Sequence, residues 1–361
     1  MEYYIGLDVS QRQTAICIID DKGNRFKEGT ALTVPSDIYD WVIRHVDAKD
    51  VIRVGHEAGA MSFWLQTELT KLGMPIICME AFQAAALLET QRNKTDKNDA
   101  RGLAQIVRMG GSFIRPVIVR SQNNQEARML LTMRQHLVEQ KVALENNITG
   151  SLKPFGLLTP RGHACAKKFR ENVLSTLVRA DDRGIMVREM VMPSLDVYEG
   201  LCKQLDILTK RVVAIAKANP ICRRLMTVPG VGPIISLSFV TAVDDPKRFK
   251  HLCDVGAYFG LTPKQEQSGE VNKMGSTSLR GDIMTRTHLV QAATVLLTSC
   301  KKWCSLKSWG MKIMKKRGLG NARVAVARKL AILLCSLWLN EKDFCWTKEA
   351  GDQELAVLKT A

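Results

Sequence analysis

The residues best suited to chemistry are four carboxylates in the first third of the chain. Asp8 follows the apolar run Tyr4-Ile5-Gly6-Leu7, which puts it near the centre or C-terminal end of a first β-strand. Glu57 holds the equivalent place after the short apolar run Val51 to Gly55. Asp96 and Asp99 are spaced i, i+3 at the start of a helix whose apolar positions are Ala100, Leu103, Ala104 and Val107, so both project from one face of its first turn. Taken singly, each has a bland reading: Asp8 as a strand-end acid satisfied by turn amides, and Asp96 and Asp99 as helix caps that complement the dipole. Together they are more specific. Acids at neighbouring strand ends repel one another unless a cation lies between them. An all-oxygen donor set without His or Cys suits Mg²⁺ or Mn²⁺, ions that polarise phosphoryl oxygens. Two such ions roughly 3.5–4 Å apart can clamp the attacking and leaving oxygens of a phosphodiester.

A second constellation runs from Leu261 to Asp282, polar and rich in small residues between apolar helical stretches. It reads as a loop. Ser268 precedes Gly269, with Lys264, Lys273 and Arg280 within reach, and a serine among cations fits a nucleophile attacking a phosphodiester. A hydroxyl is weak at its free pKa, so a base or metal must activate it. Ser276 and Ser278 are rivals on composition alone.

The charge balance points the same way. In 361 residues, 52 Lys and Arg outnumber 36 Asp and Glu, a formal charge of +16 that attracts phosphate backbones. No acid occurs between Asp282 and Glu341, a stretch that carries Arg286, Lys315, Lys316, Arg317, Arg323 and Arg328 with Trp303 and Trp309 interleaved. We expect this track to contact nucleic acid. A hydrophobic share of 46% excludes disorder as the main state. The longest apolar run, Leu330 to Leu339, is about half of the ~20 residues that span a bilayer. No export signal is visible, and the ten cysteines are scattered without a Cys-x-x-Cys, so we expect reduced thiols, no zinc and no membrane.

The elements that must position these residues follow from periodicity. Runs at Tyr3 to Val9, Thr14 to Ile19 and Arg25 to Val34 predict a three-strand meander; a helix opens at Pro35, a strand returns at Val51, a helix at Ser62 and a strand at Met74. From Gln122 a helical stripe runs through Ala127, Leu131, Leu144 and Leu152. A second helix after Pro193 carries Tyr198, Leu201, Leu205, Leu208, Val212 and Ile215 at coiled-coil spacing, an antiparallel pair or an oligomer seam. Residues 161–188 read as a basic connector, and Val228-Pro229-Gly230-Val231-Gly232-Pro233 as a helix-hairpin-helix turn. The fold expected is α/β plus α. A domain of residues 1–118 bears the acids, 119–218 is a helical coiled-coil connector, 219–345 is a mainly helical domain bearing the serine, and 346–361 is a tail.

The meander with Asp on its first strand, Glu on the fourth and a late helical acid pair resembles the ribonuclease-H-like fold of the RuvC-like nucleases that resolve Holliday junctions. Actin-like ATPases and sugar kinases share the opening but need a Gly-rich second phosphate loop, which does not follow here. Beyond this, Gly6-Leu7-Asp8-Val9-Ser10, Glu57-Ala58-Gly59, Lys94 through Arg101, Pro229-Gly230-Val231-Gly232, Val255 through Pro263 and Ser268-Gly269 resemble, in order and over nearly the whole chain, the insertion-sequence transposase family numbered one hundred and ten, which includes the pilin-gene invertases. The chain departs from many relatives at Glu270-Val271, where they carry Gly and a basic residue, and at Ser278-Leu279, where they carry Ser-Lys.

The resemblance implies a DNA transposase in which Asp8, Glu57, Asp96 and Asp99 form the metal-binding carboxylate set and Ser268 makes a covalent phosphoserine link to DNA. It also implies a bridge RNA that pairs with donor and target double-stranded DNA. It further implies a tetramer in which the serine of one protomer completes the acidic site of another, and a cytoplasmic, nucleoid-associated place in a bacterial cell. Two other readings stand beside it: a metal-dependent junction nuclease that uses water and makes no adduct, and a degenerate protein that binds nucleic acid without chemistry.

Overall fold

The computed structural model describes residues 1–89, 93–110, 114, 116–160, 165–269 and 271–346, which form two compact units, Met1–Arg120 and Ser121 onward. The tail beyond Trp346, Glu270 and residues 161–164 of the expected connector lie outside the described residues.

The first unit contains β1 (Tyr3–Val9), β2 (Gln13–Asp20), β3 (Arg25–Leu32), α1 (Pro35–Ile43), β4 (Val51–Glu57), α2 (Ser62–Lys71), β5 (Ile76–Met79), α3 (Ala81–Leu88) and α4 (Asp96–Met109). The strands form one sheet in the order β3-β2-β1-β4-β5. β1 to β3 pair antiparallel, as short turns allow, and β1-β4-β5 pair parallel through the helical crossovers. Both faces of the sheet are covered. Ile5, Leu7, Ile16 and Ile18 pack on Ile38 and Val42 of α1 and on Leu65 and Leu69 of α2. Ala15, Cys17 and Ile19 pack on Ala100 and Ala104 of α4. That double cover is why β2 reads as an unbroken apolar run from Ala15 to Ile19 rather than an alternating one.

The second unit is mostly helical: α5 (Gln122–Leu152), α6 (Ala166–Asp181), α7 (Arg188–Ala218), α8 (Pro220–Leu225), α9 (Pro233–Val243), α10 (Asp254–Tyr258), β6 (Pro263–Ser268), β7 (Val271–Thr277), α11 (Ile283–Thr298) and α12 (Ser305–Leu339). α5 and α7 run antiparallel. The Tyr198 hydroxyl donates to Glu145 at 2.7 Å, and Arg134 Nε donates to Thr209 Oγ1 at 2.9 Å, so residue numbers rise along one helix as they fall along the other. One core lies where Ile148 and Leu152 meet Phe169, Val173, Leu195 and Tyr198. A larger core gathers α8, α9, α11 and α12 around the opposite ends of the pair.

Three local expectations are corrected. The connector contains α6, because Phe169, Val173, Leu177 and Ala180 recur every three or four residues and are buried. α7 begins at Arg188 with Pro193 as its sixth residue, and the burial of Val191, Leu195 and Tyr198 on either side of the proline holds the helix through it. The segment from Leu261 is a β-hairpin rather than a loop.

Candidate active site

The acids of the first unit are placed by two neighbouring strands and one helix. β1 and β4 pair in parallel with Gly6 opposite Gly55 and Leu7 opposite His56, so the next position sets Asp8 beside Glu57. Side chains alternate along a strand, so Asp8 shares the face of Gly6. α4 lies against that face. A Cβ at Gly6 would collide with the Ala100 carbonyl and the Ala104 nitrogen, and one at Gly55 with the Val107 side chain. Such close approach of backbones is the use that glycine has in a strand interior.

The helix start is built so that its acids are not needed as caps. Thr95 is the N-cap, with its hydroxyl accepting from the Asn98 amide at 3.3 Å. Asp96 and Asp99 follow in the first turn. Arg101 ties α4 to the sheet through an ion pair with Glu28 on β3, including a 2.7 Å bond from Nη2. Neither Arg101 nor Thr95 stood out by residue type alone; a Thr three residues before a helical turn amide was the available signal.

The Asp8 carboxyl feels the charges of the other three acids. Burial and then the charges of Asp96, Asp99 and Glu57 push the Asp8 carboxyl up to about 6, with Lys94 opposing. Burial raises Glu57 as well, with Lys94 pulling it down and Asp99 pushing it up. Among the described residues no three acids, histidines or cysteines converge closely enough to hold an ion. The like-charge penalty falls on Asp8 and, from Asp99, on Glu57, while the acids do not close on a point. An all-oxygen donor set in which Asp8 and Glu57 are penalised by neighbouring acids suits a hard divalent cation, which would cancel that penalty.

In the second unit, Ser268 is the last residue of β6 and pairs with Val271 across a turn in which Gly269 has φ +56°. It is exposed at the hairpin tip. Lys273 pairs with Glu266, two positions from the Ser268–Val271 pair, so Lys273 and Ser268 project from one face. Lys264 and Lys273 are exposed. Ser276 lies on β7 away from the tip, and Ser278 lies beyond it with its amide bonded to the Thr262 carbonyl at 2.8 Å.

The hairpin base is anchored by residues whose part the linear pattern did not show. Arg286 Nη1 donates to the Arg280 carbonyl at 2.9 Å and to the Phe259 carbonyl at 3.2 Å, joining the chain entering the hairpin to the chain leaving it. Asp282 caps α11 through the Thr285 amide at 2.7 Å and forms an ion pair with Arg128 of α5. Burial raises the Asp282 carboxyl, but the Arg128 charge and the hydrogen bonds outweigh it and hold the group below the usual carboxylate range.

The basic track lies on α12, which is broken at Gly318 (φ 80°, ψ 167°). Lys315, Lys316 and Arg317 are exposed just before the break; Arg323 and Arg328 are half-buried after it. No described helix is long and apolar enough to cross a membrane.

Comparison with known proteins matches both units to one family. A transposase family model of the DEDD type for IS110 elements matches residues 5–155, and the model described as the transposase IS116/IS110/IS902 family matches residues 222–308. The chain is 28% identical over 348 residues to the transposase for insertion sequence element IS1111A of Coxiella burnetii, covering 94% of this chain and 90% of that one. It is 28% identical over 253 residues to a probable family 20 transposase of Pseudomonas aeruginosa, covering 69% and 74% respectively. Among solved structures, RuvC of T. thermophilus in complex with a Holliday junction substrate is similar at 12% identity and a TM-score of 0.25, covering 32% of this chain and 100% of that chain. With its acid-bearing sheet and its anchored serine hairpin each falling within a matched segment, the chain belongs to the IS110 family of transposases, enzymes that cut and rejoin DNA.

Proposed function

We propose that this transposase works through a serine–phosphodiester intermediate. Ser268 Oγ attacks the scissile phosphorus, the bond to one sugar oxygen breaks, and the proton leaves the serine for that departing oxygen. A strand hydroxyl then attacks the phosphoserine, restores the DNA bond and frees Ser268, so no outside energy source is consumed. The observation that carries this reading is the exposed position of Ser268 at the tip of a hairpin held at its base, with Lys273 on its own face.

The first unit takes the role of a ribonuclease-H-like domain, a reading supported by the strand order and by the acids on one face. Asp8, Glu57, Asp96 and Asp99 would hold Mg²⁺ or Mn²⁺, which supplies charge stabilisation at the phosphate when bound. Donor and target DNA, a guiding RNA and a tetramer complete the proposal. The +16 charge and the acid-free stretch between Asp282 and Glu341 support the nucleic-acid partners.

The test is a denaturation-resistant protein–DNA adduct. We expect it in wild type, Ser276→Ala and Ser278→Ala, and its loss in Ser268→Ala. Persistence of the adduct in Ser268→Ala would end the assignment. A second reading, hydrolysis by water at the acids alone, is favoured by their all being within the first unit; it predicts cutting without an adduct in every variant.

A further inference from the structure

The break at Gly318 has a consequence for the residues on either side of it. In an unbroken helix, Lys316 and Arg328 would lie roughly 18 Å apart along the axis, at 1.5 Å per residue. Here both line a single cavity of about 640 Å³, which is also bounded by the hairpin base at Pro263 and Thr277. Arg317 lines it too. Among the described residues, no ion pair involves Lys316, Arg317 or Arg328, and the sequence from Ile283 to Asn340 contains no acid.

The cavity is not simply cationic. Leu261 and Ile332, both buried, contribute apolar wall, and Trp309 lies with its ring centroid 4.1 Å from the Lys329 ammonium. A phosphate backbone alone calls for cations and not for an indole and an apolar wall. The volume is on the scale of pockets that take one small molecule, about 300–1,000 Å³, so a nucleotide fits and a duplex does not. Aromatic platforms beside cationic grooves are how proteins hold unpaired bases.

We infer that this cavity receives one unpaired nucleotide of a nucleic-acid strand, with its base over the Trp309 indole and its phosphate among Lys316, Arg317 and Arg328. The inference rests on the reading that this chain handles nucleic acid, and not on the identity of the nucleophile. A base that displaces the Lys329 ammonium from the ring keeps a π contact there and moves the charge toward the phosphate. The site lies at the hairpin base, roughly 16 Å along β6 from the Ser268 backbone, at about 3.3 Å per strand residue. That span is about five phosphates of one duplex strand. DNA and RNA both present this chemistry.

The test uses the full-length protein with three oligonucleotides: a DNA duplex with one unpaired 5-iodouracil, the same duplex fully paired, and an RNA duplex with one unpaired 5-iodouracil. Irradiation followed by peptide mapping should place the cross-link at Trp309 for unpaired probes only; whether the DNA or the RNA probe cross-links better identifies the source. In equilibrium binding, Trp309→Leu should weaken the unpaired probes about ten-fold or more and leave the paired duplex within two-fold. Trp309→Phe should rescue, and a thermal melt should show both variants folded. Lys316→Ala with Arg317→Ala should weaken all probes. A cross-link mapped away from the cavity, or equal effects of Trp309→Leu on paired and unpaired probes, overturns the inference. Ser268→Ala should bind the unpaired probes like wild type, so failure of the serine reading and failure of this one are separately visible.

Discussion

Gly6 of β1 and Ala100 of α4 are in backbone contact: any side chain at Gly6 would run into the Ala100 carbonyl. That contact seats the first turn of α4, with Asp96 and Asp99, over the strand that carries Asp8. Gly6→Ala must push the helix off the sheet, because the neighbour is backbone and cannot rotate away. The expected cost is about 1–3 kcal/mol, the range for overpacking a tight interior. Strand cutting should fall with it, even at temperatures where circular dichroism shows the variant folded. Wild-type cutting by a folded Gly6→Ala protein would show that the seating of α4 is irrelevant to the site.

Asp8 sets a pH dependence with a definite sign. Its carboxyl is pushed from 3.8 to about 6 in the folded chain, so between those values the native state binds more protons than the unfolded state. Stability then falls as pH rises through that window, and the penalty is fully present above it. Asp8→Asn removes the charge. It should raise Tm at pH 7.5, change little at pH 3.5, and abolish cutting at pH 7.5. Equal shifts in Tm at the two pH values would contradict the electrostatic origin.

A divalent cation should relieve the same repulsion. Added Mg²⁺ is expected to raise the Tm of the wild-type protein at pH 7.5 in a concentration-dependent way, and a chelator should reverse the gain. The effect should shrink in Glu57→Gln and be lost in Asp8→Asn. A rise of the same size in all three proteins would point to binding elsewhere.

Arg286 separates anchoring from phosphate contact. Its Nη1 reaches two carbonyls, and a lysine supplies the charge on a side chain one bond shorter, so its ammonium falls short of that position. Arg286→Lys should therefore slow adduct formation about ten-fold while DNA affinity stays within two-fold. A phosphate-contacting residue would behave otherwise, lowering affinity across sequences and, once its charge is removed, reducing the salt slope by about 1. Salt titration of Arg286→Lys and Arg286→Met decides between the two.

The Arg128–Asp282 pair is mostly buried, with side chains 13% and 10% exposed, and it joins α5 to the start of α11. Asp282→Ala would leave the guanidinium without its counter-charge and α11 without its cap. Breaking a buried pair in this way costs roughly 3–5 kcal/mol, and replacing both residues with apolar ones costs far less. Chemical denaturation of Asp282→Ala against Arg128→Met with Asp282→Leu measures the difference.

Much of the first unit was legible from periodicity. The apolar runs of β1, β2 and β4 mark strands of a sheet covered on both faces, and the stripe on α4 states which side of that helix is buried, because a helical side chain's direction repeats every 3.6 residues. The serine hairpin was not legible for the same reason. The described side chains of β6 and most of those of β7 are exposed, so neither strand carries an apolar face and no alternation marks it. Only cross-strand pairing defines it. α6 was hidden by its basic surface, although Phe169, Val173 and Leu177 repeat at helical spacing.

By itself the sequence determined the kinds of donor, acids without His or Cys, together with the excess of positive charge and the local periods of most helices and strands. All of these are properties of residue type and near-neighbour spacing. The tertiary structure decided that Asp8 and Glu57 share a register, that two glycines admit α4 to their face, and that a break at Gly318 folds one basic track around a cavity. Those relationships join residues far apart in the chain, and their geometry depends on pairing and packing energies summed over whole elements rather than on any local pattern.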